Sequence, residues 1–160
     1  MGAKHAAIAA VLVAAGGLTA CAADFWDMDP PQEIALDPAL AGDLFIDRVE
    51  VRSTFYNPPD AFSDAFVPAF RNGASCFDGR RPARAIVFIH ELDRQGRLIG
   101  DDGRISLPGS VDLHDRRGRV IARYRIRAAL PATGEDLTER RTAAAEVFGE
   151  ALCQQINTAR

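Results

Sequence analysis

Two alternating stretches on either side of Asp115-Arg116-Arg117-Gly118 constrain this chain more than any other feature. Before the turn, Ile105, Leu107, Val111 and Leu113 alternate with Ser106, Ser110, Asp112 and His114. After it, Val120, Ala122, Tyr124 and Ile126 alternate with Arg119, Arg123, Arg125 and Arg127. Successive strand side chains point to opposite faces, so period two on both sides of a turn predicts an antiparallel hairpin with one apolar face. With His114 placed opposite Arg119, Leu113 meets Val120, Val111 meets Ala122 and Leu107 meets Ile126. Gly109 then lies opposite Tyr124, whose ring covers the bare backbone. A slip of one residue would turn the arginines inward, so the register is well determined.

The remaining segments supply cover for that apolar face. Leu44 to Arg52 alternates imperfectly, with Phe45, Val49 and Val51 against Arg48, Glu50 and Arg52, and reads as a first strand. Asn57-Pro58-Pro59-Asp60 opens a helix, since proline is tolerated in a first turn and Asp60 suits the positive end of the helix dipole. Phe62, Phe66 and Phe70 follow at spacing four, with Ala65 and Ala69 beside them, as one buried stripe. Pro68 is expected to kink or split this helix, and Gly73 to end it. Ala85 to Leu92 is apolar on both faces in its middle, as a central strand should be. Glu135 to Ile156 forms the last helix, with Leu137, Ala144, Phe148, Leu152 and Ile156 on one face. Thr133 or Gly134 caps it, and Glu135 and Asp136 complement its dipole.

The expected fold is therefore α+β, in the order β-α-β-β-β-α: a four-stranded mixed sheet with two helices on one face. Counting directions, both helices run the same way and end together, which lets Cys76 and Cys153 meet. A second topology stays open. Asp93-Arg94-Gln95-Gly96-Arg97-Leu98-Ile99 nearly repeats Asp115-Arg116-Arg117-Gly118-Arg119-Val120-Ile121, and an extra strand at Arg97 to Gly100 would separate the cysteines.

Residues 1–20 have the three parts of a secretory signal: Lys4 and His5, an apolar run from Ala6 to Ala15, and small residues before a cleavage point. The apolar run is about half the roughly 20 residues a bilayer-crossing helix needs. Leu18-Thr19-Ala20-Cys21 resembles the lipobox of bacterial lipoproteins, whose cysteine is acylated and becomes the new N-terminus. The resemblance implies lipidation at Cys21 and anchoring to the bacterial cell envelope. Ala22 after the cysteine, where an aspartate would imply inner-membrane retention under the enterobacterial sorting rule, favours the periplasmic face of the outer membrane. Residues 21–42, with Asp27, Asp29, Pro30, Pro31, Asp37 and Pro38 and no hydrophobic period, read as a lipidated N-terminus and flexible tether. Phe25 and Trp26 suit a membrane interface or a dock on the domain. Residues 43–160 are left as a single periplasmic domain.

Assigning Cys21 to lipid leaves Cys76 and Cys153 as one pair, and an oxidising periplasm favours a disulfide between them. Closing that loop is worth about 4 kcal/mol by chain entropy. Lys4 is the sole lysine among 19 basic residues, so the mature chain sets 18 arginines against 22 acidic residues. A net negative balance gives no reason to expect a nucleic-acid partner, and the absence of lysine excludes a lysine base or Schiff base.

The β-α-β-β-β-α order behind a lipobox, with Val111 to Ile121 as the central hairpin, also resembles small envelope lipoproteins. These are of the lipopolysaccharide-assembly, transport-auxiliary and curli-secretion types. That resemblance carries no functional residues across.

Catalytic patterns are sparse. His90 and His114 end successive antiparallel strands, some 25 Å apart at about 3.3 Å per residue, too far to share a metal. Asp101-Asp102-Gly103 lacks the alternating oxygens of a calcium loop, and neither a Gly-x-Ser-x-Gly elbow nor a phosphate-binding glycine loop occurs. The row Arg119, Arg123, Arg125 and Arg127 is either protection of an exposed last strand or a comb of guanidinium groups for an anionic partner. The expectation is a non-catalytic, membrane-anchored accessory binding protein with an envelope protein partner, no cofactor and no metal. A small periplasmic ligand-binding module, with an apolar cavity behind Phe62, Phe66 and Phe148, and a periplasmic hydrolase are the alternatives.

Overall fold

The computed structural model describes residues 32–53, 58–90, 104–131 and 137–158. Six elements follow in the expected order: β1 (Leu44–Ser53), α1 (Asp60–Gly73), β2 (Arg81–Ile89), β3 (Arg104–His114), β4 (Val120–Pro131) and α2 (Leu137–Thr158). The four strands form one mixed sheet in the order β1-β2-β3-β4. Because α1 lies between them in the chain, β1 and β2 pair parallel, while β2 with β3 and β3 with β4 pair antiparallel. The apolar residues Ala85, Val87 and Ile89 of β2, Leu107, Val111 and Leu113 of β3, and Ala122, Tyr124, Ile126 and Ala128 of β4 are all buried in one core with the helices.

The helices meet at bare backbone. A methyl group built on Gly73 would lie 1.9 Å from the Glu146 carbonyl oxygen, and one on Gly149 would lie 2.4 Å from that of Phe70. Only glycine at both places lets two helices approach this closely. Around that crossing the aromatic side chains fill the space: ring centroids are 5.6 Å apart for Phe62 and Phe66, 5.9 Å for Phe66 and Phe70, and 6.2 Å for Phe66 and Phe148. Phe70 and Phe148 are fully buried, each worth about 1.5–3 kcal/mol of apolar transfer. Beyond the glycines, Cys76 and Cys153 form a disulfide with Cα atoms 5.8 Å apart. Both helices thus end on the same side, as the counting of directions requires.

Four expectations need correction. First, the hairpin register differs by two: Leu113 faces Ala122, Val111 faces Tyr124, Gly109 faces Ile126 and Leu107 faces Ala128. His114 pairs with Val120, which gives the turn one more residue, and an irregularity between Leu113 and His114 absorbs another. From Ala122 onward the two added residues preserve the inward face although the partners change; Val120, expected inward, instead pairs with His114 and is half-buried, and Ile121 packs against the core. The bare backbone at Gly109 is covered by Phe148, with ring atoms 3.0 and 3.2 Å from where a Cβ would stand, rather than by Tyr124.

Second, β1 has a bulge between Ile46 and Arg48, which is why its alternation reads imperfectly. Leu44 is buried in place of Phe45, which is only partly covered. Third, Pro68 does not split α1, which is one helix from Asp60 to Gly73. Pro68 and Asp64, whose carbonyl loses its donor, are both exposed, so solvent takes over that acceptor.

Fourth, the described part of the expected tether is docked. Ile34 exchanges backbone hydrogen bonds of 3.0 and 2.8 Å with Arg123, the Leu36 amide donates to the Tyr124 hydroxyl at 2.8 Å, and Leu36 and Ala41 lie in the core. The compact unit therefore begins at Gln32. The segments Arg97–Gly100 and Thr133–Asp136 lie outside the described residues.

Replacing Gly149 with alanine forces the helices apart at their closest point. The expected result is a loss of about 1–3 kcal/mol in denaturant unfolding, with an unchanged far-ultraviolet circular dichroism spectrum.

Candidate functional site

The arginine row resolves into residues with different tasks. Arg123 stands directly across from Asp112 on β3 and donates from Nε and Nη2 to its two carboxylate oxygens at 2.6 and 2.5 Å. The Asp112 side chain is 7% exposed and that of Arg123 24%. This is a fork-to-fork pair sunk into the sheet face away from the helices, and the Asp112 hydrogen bond holds the Arg123 guanidinium above its ordinary pKa. Arg119 belongs to the turn: its Nε and Nη2 reach the Asp115 Oδ2 at 2.8 and 2.7 Å. Arg125 and Arg127 are exposed and have no side-chain ion pair among the described residues. Two of the four side chains are thus paired with carboxylates of the fold and two are exposed.

The edge those arginines were expected to protect is partly occupied. On β4 the outward backbone groups of Arg123 pair with Ile34, the Arg125 amide donates to the Glu33 carboxylate at 3.2 Å, and Gln155 donates to the Arg125 carbonyl at 2.6 Å. Side chains and one bridging residue thus satisfy groups that would otherwise invite another strand.

Arginines gather elsewhere. Since β2 runs antiparallel to β3, the start of β2 lies beside the β3–β4 turn, and Arg84 faces His114. Asp78-Gly79-Arg80-Arg81 and Asp115-Arg116-Arg117-Gly118-Arg119, distant in the chain, converge on this end of the sheet. Backbone amides of Gly79, Arg80 and Arg81 donate to the carbonyls of Leu44 and Asp43 at 2.6–2.9 Å, which seats the first loop. Gly79 is needed there, because a Cβ would lie 2.1 Å from the Asp43 carbonyl carbon.

Asp115 seats the second loop. Its Oδ1 accepts from the amides of Arg117 and Arg119 at 2.8 and 3.0 Å, and its Oδ2 takes the Arg119 guanidinium. The Arg119 backbone and side-chain hydrogen bonds hold its carboxyl below the ordinary value of 3.8.

Two clefts flank Pro82 at this end. One, of about 490 Å³, is lined by Arg80, Arg81, Arg116, Arg117 and Arg119 over Leu40, Leu44, Pro82 and Ile121. The other, of about 450 Å³, includes Phe45, Asp47, Arg48 and Arg84, and shares Pro82, Asp115 and Arg116 with the first. Sequence reading missed this cluster. Its one signal was the pair of Arg-Arg steps, each following an aspartate at a turn.

Of the other expected sites, Cys21 lies outside the described residues, and Cys76 and Cys153 are joined. The His114 Nδ1–H donates to the Gly118 carbonyl oxygen at 3.0 Å. It pairs with Arg84, and His90 lies six residues further along the chain, about 20 Å away at strand rise. Among the described residues no group of three potential ligands is placed to hold a metal, and no helix is long and apolar enough to cross a membrane.

No protein family matches the chain, and no curated protein matches it. Among solved structures, a PelC dodecamer from Paraburkholderia phytofirmans is 18% identical, covers 75% of this chain and 94% of its own, and superposes with a TM-score of 0.41. A lipoprotein candidate from Caulobacter crescentus is 17% identical over 70% of this chain and 92% of its own, with a TM-score of 0.36. Identities and scores this low carry neither a family nor a function to this chain.

Two outcomes follow from the pairings. Asp112→Ala removes both acceptors from a half-buried guanidinium and is expected to cost about 1–3 kcal/mol in chemical unfolding, whereas Asp112→Leu with Arg123→Leu restores much of the loss. For Asp115, a depressed folded pKa means its stabilisation is present above the ordinary aspartate range and lost as pH falls through the folded value. The gap in melting temperature between the wild type and Asp115→Asn should be widest at neutral pH and shrink on acidification below 3.8.

Proposed function

We propose that this protein is a non-catalytic lipoprotein of the bacterial cell envelope. In this reading, acylated Cys21 holds a single α+β domain on the periplasmic face of the outer membrane, where it works by binding, as an accessory to envelope assembly, transport or secretion. The observation that carries this reading is the cysteine account. The Cys76–Cys153 disulfide uses two of the three cysteines, which leaves Cys21, at the end of Leu18-Thr19-Ala20-Cys21, as the thiol available for a lipid.

The disulfide also fits an oxidising compartment, and several acyl chains at about 0.8 kcal/mol per buried methylene suffice for a firm hold. The domain begins at Gln32, eleven residues after Cys21, so the link spans at most about 40 Å fully extended. The space at Phe62, Phe66 and Phe148 that an apolar ligand would need is taken by their own rings and Phe70.

The test is Cys21→Ser in a bacterial host that processes lipoproteins. The wild type is expected to take up radiolabelled palmitate, gain the mass of a diacylglyceryl group and fractionate with outer membrane, and the variant to lose all three. A variant that keeps the same mass, label and fraction overturns the reading.

A further inference from the structure

The cleft beside Pro82 has the makings of a binding site that neither the lipobox nor the arginine row pointed to. Five arginines line it with one acid, Asp115, and that acid is already committed. Its two oxygens accept two backbone amides and the Arg119 guanidinium, so it neutralises Arg119 and has nothing left for the others. Arg81 has only a distant contact with Asp43, at 3.9 Å. Arg80, Arg116 and Arg117 are exposed and have no side-chain ion pair among the described residues.

Like charges held together on a chain that is acidic in sum store repulsion, which an anion in the cleft would relieve. Guanidinium forks match phosphate oxygens in geometry, and several of them favour phosphate over a simple halide.

The floor is of another character. Leu44 is 3% exposed and packs into the core, while Leu40 and Ile121 are half-buried beside Pro82. An arginine rim over an apolar floor, in a cleft of about 490 Å³, has the size and make-up of a small-ligand site. It suits one charged group with one short apolar portion.

We propose that this cleft binds a phosphate-bearing amphiphile, with Arg80, Arg116 and Arg117 on the phosphate and Leu40, Leu44 and Ile121 against the apolar part. The proposal rests on the reading of the protein as a binding component and gives that component a ligand class. It fails separately from that reading, because loss of binding at the cleft leaves acylation at Cys21 untouched. The ligand is either a membrane lipid headgroup or a soluble phosphorylated metabolite with an apolar flank.

The experiment uses the full chain, purified in a neutral detergent and titrated calorimetrically with three probes: dihexanoyl phosphatidic acid, dihexanoyl phosphatidylcholine and inorganic phosphate. The wild type should bind the phosphatidic acid at least about tenfold more tightly than either other probe. Arg80→Gln/Arg116→Gln/Arg117→Gln should weaken that binding by at least about tenfold, and Ile121→Ser should weaken it while leaving phosphate binding unchanged. Arg125→Gln/Arg127→Gln, which removes exposed charge outside the cleft, should change nothing.

Equal losses in the two arginine variants would show attraction to general surface charge and overturn the site. Inorganic phosphate binding as tightly as the amphiphile, with Ile121→Ser silent, would overturn the apolar half. Unfolding midpoints for every variant separate a lost ligand from a lost fold. With binding established, co-flotation on vesicles of phosphatidylcholine with and without phosphatidic acid distinguishes the sources: a membrane ligand brings the protein up only with the acidic lipid, as judged against Cys21→Ser and the triple variant in that background.

Discussion

The backbone contact between α1 and α2 at Gly73 and Gly149 is the constraint from which the rest of this structure follows. Two parallel helices that touch main chain to main chain present their phenylalanines as one surface, wide enough to cover the apolar face of four strands. A side chain at either glycine would wedge the pair apart and open the layer beneath. The Cys76–Cys153 disulfide sits just beyond the crossing and ties the end of α2 to the loop after α1. That loop leads directly into Arg80 and Arg81, so the position of half the arginine cleft is inherited from the helix contact.

Charge in this protein is organised by locality rather than by sum. The chain is acidic overall, yet guanidinium groups collect at one end of the sheet because two turns of similar composition are brought together there by antiparallel pairing. Some arginines are matched: Arg52 with Glu50 at 2.6 Å and over the Phe88 ring at 6.0 Å, Arg123 with Asp112, and, at the cleft itself, Arg119 with Asp115. The Glu50 carboxyl is held below its ordinary value first by its hydrogen bond from Arg52. Within the cleft, Arg119 is matched by Asp115, whereas Arg80, Arg116 and Arg117, on which the proposed ligand would sit, are not matched among the described residues.

Periodicity made much of this fold legible. Alternation marked the faces correctly over Val111–Leu113 and from Ala122 onward, though not at Val120, because arginine outside and aliphatic inside is a strong signal at period two. Spacing four in Phe62, Phe66 and Phe70 marked the helix face. Where local irregularity entered, the same logic lost its footing. A longer turn and an irregularity together moved the hairpin partners by two, a displacement that parity cannot detect. The β1 bulge exchanged Phe45 for Leu44 in the core. Residues 32–42 showed no period because they are not a regular element; Leu36 and Ala41 are buried singly, through a tyrosine hydroxyl and a turn that no pattern announces.

The candidate site was less visible still. The row on β4 was plain in the sequence, but Asp112 opposite Arg123 becomes a partner only once the register is known. Arg80 and Arg117 lie 37 positions apart in the chain and become neighbours through topology alone.

The manner in which the chain enters the domain has a mechanical side. Any pull arriving from residues before Gln32 is received at Ile34 and Leu36, and passes through two main-chain bonds at Arg123 and the hydroxyl of Tyr124 into β4. That strand is laced to β3 over its whole length. Force is thereby spread along the longest ladder of the sheet, and the shorter parallel pair that begins at Leu44 is spared the first load.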